Sequence, residues 1–406
     1  MTTSKKILQD KNIGVVGFNA RPLACSAYKA GGNAYVSDYW GDSDLNQCSK
    51  DWVAVLSSVP GSRQRGTLES PVYITLAKNF LEVFSETRFD FILIGSGFDD
   101  HSESLARIEG MFGITGNSVE QMKLARNRSK LRTLANRYKI GMPQESLVED
   151  KDDAIKSADD IGYPCVVRPI TSGGGAGIRV LPNSNALERY YAALEDTGKI
   201  GARIIQEYVP GWDVSASVLG ARKEAMTLSV QGQLIGLPST GRNCDFAYGG
   251  NYYPPRISEN TNERIRHVSE AIIKSIGLIG SNGIDYVVDK KGDIWLFEVN
   301  PRFQGSLEML EHAGNISISE LHVNACNGEL PNEAPKFKPI VKMIVYAVKD
   351  GIVPDLSIFP NSVDRSPAGV GVQKGDPICS VIEIGHNLRD AYTKAKYCFD
   401  AIQKGL

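Results

Sequence analysis

Two carboxylates that must face each other constrain this chain more than any other feature. The runs Ile284-Asp285-Tyr286-Val287-Val288-Asp289 and Ile294-Trp295-Leu296-Phe297-Glu298-Val299-Asn300 are rich in β-branched and aromatic residues, with Lys290-Lys291-Gly292-Asp293 between them. They read as a β-hairpin. A two-residue loop at Lys291-Gly292 pairs Lys290 with Asp293, and counting outward sets Asp285 opposite Glu298. Strand side chains repeat every second residue, so Glu298 and Asn300 share a face, with Arg302 next if the strand continues. Carboxylates about 5 Å apart repel each other, and a cation between them removes the conflict. Asp, Glu and Asn offer oxygen on the cation-facing side, the hard-ligand set that suits Mg²⁺ bound with substrate phosphates. A solvated sheet face accounts for the same pattern, and a three-residue loop would send Asp285 and Glu298 to opposite faces.

A second constellation lies upstream. Arg168 interrupts the apolar strand Cys165–Ile170, and a buried cation needs a partner, which a phosphate would supply. Thr171-Ser172-Gly173-Gly174-Gly175-Ala176-Gly177 follows at once. Consecutive glycines allow positive φ and let backbone N–H groups surround an anion. A surface turn is the alternative. Next, Ile204-Ile205-Gln206-Glu207-Tyr208-Val209-Pro210-Gly211-Trp212-Asp213 is a strand running into a Pro-Gly turn, with polar groups suited to a purine edge and a ribose.

The rest of the chain gives the frame. At 406 residues it exceeds the usual span of one hydrophobic core, so two or three domains are expected. Strands at Asn12–Phe18, Asn33–Ser37 and Phe91–Ile94 alternate with helical patterns, which predicts an open parallel α/β sheet over about the first 115 residues. Ser118 and Gln121 have capping-box spacing and open a helix that runs through Lys130 until Gly141 and Pro143 close it. From about Lys336 short strands and turns predict a small β-rich unit ending in a helix over Asn387–Ile402. A net charge of −2 gives no bulk attraction to nucleic acid or anionic membranes. No apolar run approaches the roughly 20 residues that span a bilayer, and MTTSKKILQDKN lacks the apolar core of a signal peptide. A soluble cytoplasmic protein is expected. The seven cysteines are scattered, without a CxxC pair, and are expected to be reduced thiols.

These pieces, in this order and spacing, resemble the ATP-grasp superfamily over roughly residues 119–330. The first 118 residues resemble the α/β domain that precedes the grasp in biotin carboxylase and phosphoribosylaminoimidazole carboxylase-type enzymes, and the tail resembles their small C-terminal domain. The resemblance implies an α/β and α+β multidomain chain. It would comprise a Rossmann-like pre-ATP-grasp domain (1–118), an ATP-grasp domain (119–332, with a lid at about 140–208) and a β-rich domain (333–406). It implies ATP and Mg²⁺, with Mn²⁺ as a substitute, as cofactors. Position by position, it casts Lys130 as the first phosphate-contacting lysine and puts Arg168 where a second lysine is usual. An arginine there offers a planar fork in place of a point charge. Ser172, Gly173, Gly174 and Gly175 resemble the phosphate-covering loop, and Gln206, Glu207 and Val209 the adenine hinge. Asp213 resembles the ribose-binding acid, and Asp285, Glu298 and Asn300 the magnesium ligands. Arg302 resembles the arginine beside the reacting centre, making Arg302 and Arg168 the catalytic candidates.

The activity so implied is attack of a small-molecule carboxylate on the γ-phosphate of ATP, giving an acyl phosphate that an amine then displaces. No side-chain nucleophile is required, and no Gly-x-Ser-x-Gly elbow or HExxH is present. Alternatives are a bicarbonate-using carboxylase, though a Met-Lys-Met biotin site is lacking, and a nucleotide-binding regulatory module without catalysis. A homodimer is implied by the resemblance alone. Arg242, Asp245, Tyr248 and Asn251, in a Gly- and aromatic-rich stretch, are candidates to face a substrate. Asp99 or Asp100 is a candidate to attract an amine.

Overall fold

The computed structural model describes residues 6–64, 70–171, 173–197, 201–237 and 245–406. The N-terminal part contains β1 (Asn12–Gly17), α1 (Arg21–Lys29), β2 (Asn33–Asp38), β3 (Asp51–Ala54) and the hairpin β4 (Ser57–Val59)–β5 (Ser62–Gln64). It continues with α2 (Val72–Phe84), β6 (Phe91–Ile94) and α3 (Ala106–Phe112). Strands in the order β3-β2-β1-β6 form the expected parallel sheet. Ile13, Val15 and Leu93 pack on one face, and Val16, Ile92 and Ile94 on the other, where Leu76 and Phe80 of α2 cover them. Apolar burial on both faces is what a parallel sheet requires.

The helix expected from Ser118 to Gly141 is two helices, α4 (Val119–Arg126) and α5 (Arg128–Arg137). The Ser118–Gln121 capping box opens the first. Asn127 then leaves helical geometry and its side chain accepts from the Lys130 N–H at 2.9 Å, so it caps the second. Downstream, Gly141 docks against the metal-candidate hairpin, donating to Ile294 and accepting from Leu296, each at 2.8 Å. A Cβ there would stand 2.5 Å from the Trp295 ring.

A four-stranded antiparallel sheet follows, made of β7 (Glu145–Val148), β8 (Cys165–Pro169), β9 (Arg179–Leu181) and β10 (Arg203–Glu207) in the order β7-β10-β8-β9. The helices α6 (Lys151–Ile161) and α7 (Ser184–Asp196) bury Ala154, Ala158, Leu187 and Tyr191 against it. Next come β11 (Gly211–Ala221), β12 (Glu224–Ile235), β13 (Tyr248–Tyr253), α8 (Glu259–Ile276), β14 (Gly280–Asp289) and β15 (Ile294–Asn300). They are followed by α9 (Leu307–Gly314), α10 (Ile318–Cys326) and β16 (Ile340–Tyr346). The chain ends in the short pair β17 (Gly351–Ile352) and β19 (Gly371–Val372), with β18 (Ser362–Val363), β20 (Pro377–Ile384) and α11 (Leu388–Gly405). An eight-stranded antiparallel sheet, β15-β14-β11-β12-β13-β16-β20-β18, spans these segments. The C-terminal β-rich segment is therefore hydrogen-bonded onto β13 and extends the central sheet.

Long-range ion pairs bind the N-terminal part to this sheet. Arg21, only 2% exposed, pairs with Glu308 of α9, with Asp44 at 3.3 Å and with Asp364 at 2.8 Å, while Lys342 reaches Asp364 at 3.3 Å. Such buried pairs offset their own desolvation and fix geometry more than they add stability. Cys25 and Cys48 are disulfide-bonded with Cα atoms 4.8 Å apart, so the expectation of reduced thiols fails for this pair. Their 23-residue separation hid a contact made only when α1 packs on the Leu45–Gln47 turn. Cys165, Cys326, Cys379 and Cys398 are free, and Cys244 lies outside the described residues. Among the described residues no helix is long and apolar enough to cross a membrane.

His322 of α10 is buried, accepting from the Ser281 N–H at 2.8 Å and lying 2.7 Å from the Thr115 carbonyl. That arrangement requires a neutral ring protonated on Nε2. Burial pushes its pKa down to about 4, against the smaller upward pull of Thr115. The unfolded chain then binds the extra proton between about pH 6.5 and 4, so stability is full above that window and falls on acidification through it. The total is on the order of 3 kcal/mol. Urea unfolding from pH 8 to pH 4.5 should show a flatter pH dependence in His322→Gln than in wild type; parallel curves would show that the folded ring protonates normally.

Candidate active site

The β14–β15 hairpin reaches the expected pairing by an unexpected route. Asp289 donates its N–H to Asp293 at 3.0 Å, leaving Lys290, Lys291 and Gly292 as a three-residue loop. Val288 then faces Ile294, Val287 faces Trp295 and Tyr286 faces Leu296. A β-bulge at Phe297 shifts the register by one, so that Asp285 stands opposite Glu298 and Gly283 opposite Asn300. The expected two-residue turn is wrong, and the bulge compensates for it.

Asn300 is buried and donates from Nδ2 to both carboxylates, at 2.9 Å to Asp285 and 3.1 Å to Glu298. Gln233 donates to Asp285 at 3.1 Å. Arg126 reaches Glu298 at 3.0 Å and Asp100 at 2.7 Å, and Arg302 reaches Asp99 at 2.9 Å. Asp99 and Asp100 are thus engaged by arginines, which is not the amine-attracting arrangement expected. Desolvation, then the charge of Glu298, raises the Asp285 pKa well above the carboxylate range. Desolvation acts upward on Glu298 too, but Arg126 and hydrogen bonds outweigh it and hold that group at about 2. The free pair therefore relieves its repulsion by keeping a proton on Asp285. A divalent cation is the other way to relieve it: the two carboxylates offer oxygen, and Asn300 would add a third once its amide turned Oδ1 from Arg302 toward the pair, an oxygen set that fits Mg²⁺. Among the described residues there is no cluster of three or more Asp, Glu, His or Cys suited to a metal. Two carboxylates suit an ion that keeps water and phosphate oxygens as its other ligands.

A second charge cluster centres on Glu145 of β7, which the sequence did not mark. Arg128 grips both its oxygens, at 2.6 and 2.8 Å, Arg168 reaches it at 3.2 Å, and Gln206 donates to it at 2.9 Å. The partner of Arg168 is therefore Glu145. Arg128 also donates to the carbonyl of the bulged Phe297. Arg128 lines the central cavity, whereas Lys130, two residues further along α5 and so on the far side of the helix, does not. The signal for Arg128 was Asn127: an N-cap residue places its successor at the helix mouth.

The same cavity, about 1660 Å³, is walled by Gly173, Gly174 and Gly175, by Gln206, Glu207 and Val209, and by Asp213, Asp285, Glu298, Asn300 and Arg302. Ser172 and Arg242 lie outside the described residues. The glycine loop packs on the 245–248 segment: Tyr248 donates its N–H to Gly174 at 3.3 Å. A Cβ on Gly175, whose φ is +77°, would meet the Phe246 carbonyl at 1.7 Å. Glu207 is tied to Gln144 through backbone and side chain. Burial raises Asp213 to a pKa of about 6. Asp245 accepts from Val180, and the Tyr248 hydroxyl donates to Asn251, which also donates to Gly232.

A sequence family described as an ATP-grasp domain matches residues 128–306. That match marks residues 128–306 as an ATP-grasp domain. The chain is 22% identical over 297 residues to the carbamoyl phosphate synthase large chain of Neisseria meningitidis serogroup B, covering 72% of this chain and 26% of that one. It thus spans about a quarter of that relative's length. Its fold is shared with carboxyaminoimidazole ribonucleotide synthase from Aspergillus clavatus complexed with ATP, at a TM-score of 0.73 and 15% identity, covering 98% of this chain and 100% of that one. It is also shared with biotin carboxylase from Campylobacter jejuni in a nucleotide complex, at a TM-score of 0.71 and 18% identity, covering 98% and 92%.

The placement of Arg128 and Lys130 separates their roles. Arg128→Met should weaken ADP binding by about 10- to 100-fold, the size expected for losing charge-assisted hydrogen bonds. Lys130→Met should leave binding within about twofold. Isothermal titration with MgADP checks both, and the reverse ranking would restore Lys130 as the phosphate contact.

Proposed function

We propose that the chain is an ATP- and Mg²⁺-dependent ligase that activates a small-molecule carboxylate as an acyl phosphate for attack by an amine. The observation that carries it is the convergence of Asp285, Glu298 and Asn300, flanked by Arg126 and Arg302, in one cavity with Arg128, Arg168 and the glycine loop. The proposed division of labour follows the domains 1–118, 119–332 and 333–406.

In this reading the hinge from Gln206 to Val209 receives the adenine, and the Asp213 carboxylate accepts from ribose hydroxyls. Arg128 and Arg168 exchange Glu145 for the polyphosphate, a trade of one anion for another that leaves neither cation bare. Asp285, Glu298 and Asn300 would hold Mg²⁺, or Mn²⁺ in its place, which supplies charge neutralisation at the transferring phosphoryl group. The substrate carboxylate attacks the γ-phosphorus and ADP leaves. The amine then attacks the acyl carbon, phosphate departs, and the amine proton passes to solvent or base. Arg302 lies beside the cluster and stabilises the negative charge developing on the acyl phosphate. Gly173–Gly175 covers the site and keeps water from the intermediate.

A second reading takes bicarbonate as the carboxylate, supported by the fold shared with biotin carboxylase. A non-catalytic nucleotide module is the weaker option, because it leaves the paired acids and Arg302 without a task. A homodimer belongs to the proposal and rests on the resemblance alone, and a cytoplasmic setting is proposed from the sequence pattern.

The test is incubation with MgATP, hydroxylamine and a panel of carboxylic acids that includes bicarbonate. ADP, phosphate and a hydroxamate from one organic acid are expected. AMP with pyrophosphate would sink the acyl-phosphate route, and ADP release with bicarbonate alone would establish the second reading. Glu298→Gln should lower turnover by about 100-fold or more with an unchanged circular dichroism spectrum; full activity in that variant would remove the metal assignment.

A further inference from the structure

The cavity has a second end, away from Glu145 and the glycine loop, and its chemistry is different. Phe18 and Asn19 follow β1, and Tyr39, Trp40 and Asp42 follow β2, so all five sit at the carboxyl ends of parallel strands and line the cavity. Phe18 and Tyr39 stack with centroids 4.5 Å apart, and Trp40 packs edge-on to both. Asp42 is 5% exposed, yet no donor among the described residues reaches its carboxylate. The buried Asn19 Oδ1 also lacks a donor, although its Nδ2 points to Asp364 at 3.4 Å. Asn19 Oδ1 is enclosed, so the acceptor that shares this wall with flat aromatic surface is the Asp42 carboxylate.

The same wall is poor in sites for an anion. The N-terminus of α1, a natural phosphate site, is already taken: Asp38 accepts from the Ala20 N–H at 2.7 Å and from Trp40 and Gly41. The nearby cations Arg21 and Lys342 are committed to Glu308, Asp44 and Asp364. Burial, with Asp38, Asp364 and Asp44 close by, raises the pKa of Asp42 against the weaker opposing pull of Arg21, so the group gains from a positive partner of its own.

We infer that this end of the cavity binds the amine substrate as an unphosphorylated organic cation carrying a flat apolar group, with Asp42 accepting from its N–H donors and Phe18 and Tyr39 packing on its body. This rests on the ligase reading and names the class of amine that the ligase joins. Charge-assisted hydrogen bonds and the aromatic faces both favour the cation over a neutral isostere.

The test is isothermal titration of the full chain, without ATP, with benzylamine, tyramine and benzamidine as cations, benzamide as the neutral control and ribose 5-phosphate as the anion. At least one cation should bind about tenfold or more tightly than benzamide and ribose 5-phosphate. Asp42→Asn, which removes one charge from an acidic cluster and keeps the shape, should abolish that preference. Tyr39→Leu, which removes one aromatic face, should reduce it, and serves as the second variant if the first does not fold. Equal binding of benzamide, tighter binding of ribose 5-phosphate, or an unaltered preference in Asp42→Asn would overturn the inference. Wild-type chain that binds MgADP but none of the cations at millimolar concentration overturns it while leaving the ligase reading standing. Absence of MgADP binding is instead a failure of the ligase reading.

Discussion

The site depends on a conflict: Asp285 and Glu298 are held opposite each other on paired strands, where like charges repel. A sheet tolerates this only with compensation close at hand. Asn300 donates to both acids from one side, Arg126 neutralises Glu298 from another, and the remaining charge is removed by a proton on Asp285. Replacing that proton with a divalent ion would also require the Asn300 amide to turn its Oδ1, which now accepts from Arg302, toward the acids. The fold around the pair already offsets its repulsion and holds the two acids in place for such an exchange.

The bulge at Phe297 connects this pair to the other charged centre. A regular register continued from Val288–Ile294 would set Asp285 against Phe297 and turn Glu298 to the far face. The extra residue corrects the facing, and the carbonyl of Phe297 receives Arg128. Arg128 in turn holds Glu145, on the four-stranded sheet that also carries Arg168. One backbone irregularity therefore ties the acid pair, the mouth of α5 and the lid-like sheet into a single array. Net energies of such buried pairs are small, so exchanging Glu145 for phosphate needs no large driving force.

Much of this was legible in the sequence because it is local. Alternation in 284–289 and 294–300 identifies the strands, and the Ser118–Gln121 box identifies a helix start. What escaped reading was set by contacts distant along the chain. The loop at Lys290–Gly292 and the bulge each shift register by one residue, so a count that missed both gave the correct pairing. Lys130 matched a motif by spacing, whereas the break at Asn127 brings Arg128 to the cavity. Arg168 seemed to need a phosphate because Glu145 is 23 residues away and on another strand. The Cys25–Cys48 bond escaped for the same reason.

The two ends of the cavity differ in how they are held, and that difference bears on chemistry. At the nucleotide end, arginines and carboxylates neutralise each other through ion pairs that a ligand can enter. At the far end Asp38, Asp42, Asp44, Glu308 and Asp364 outnumber Arg21, Lys342 and the half-buried Arg365, and the surplus is fixed by α1, α9 and the extended central sheet. Burial raises the pKa of Asp38, Asp42 and Asp44, so a cation brought to this wall favours their ionised forms and an anion opposes them. An enzyme that forms an acyl phosphate at one end gains from this asymmetry. In the proposed reaction the anionic intermediate would lie beside Arg302 and the acid pair, and the amine would enter from the opposite side. In that reading the charge layout favours one direction of approach for the second step.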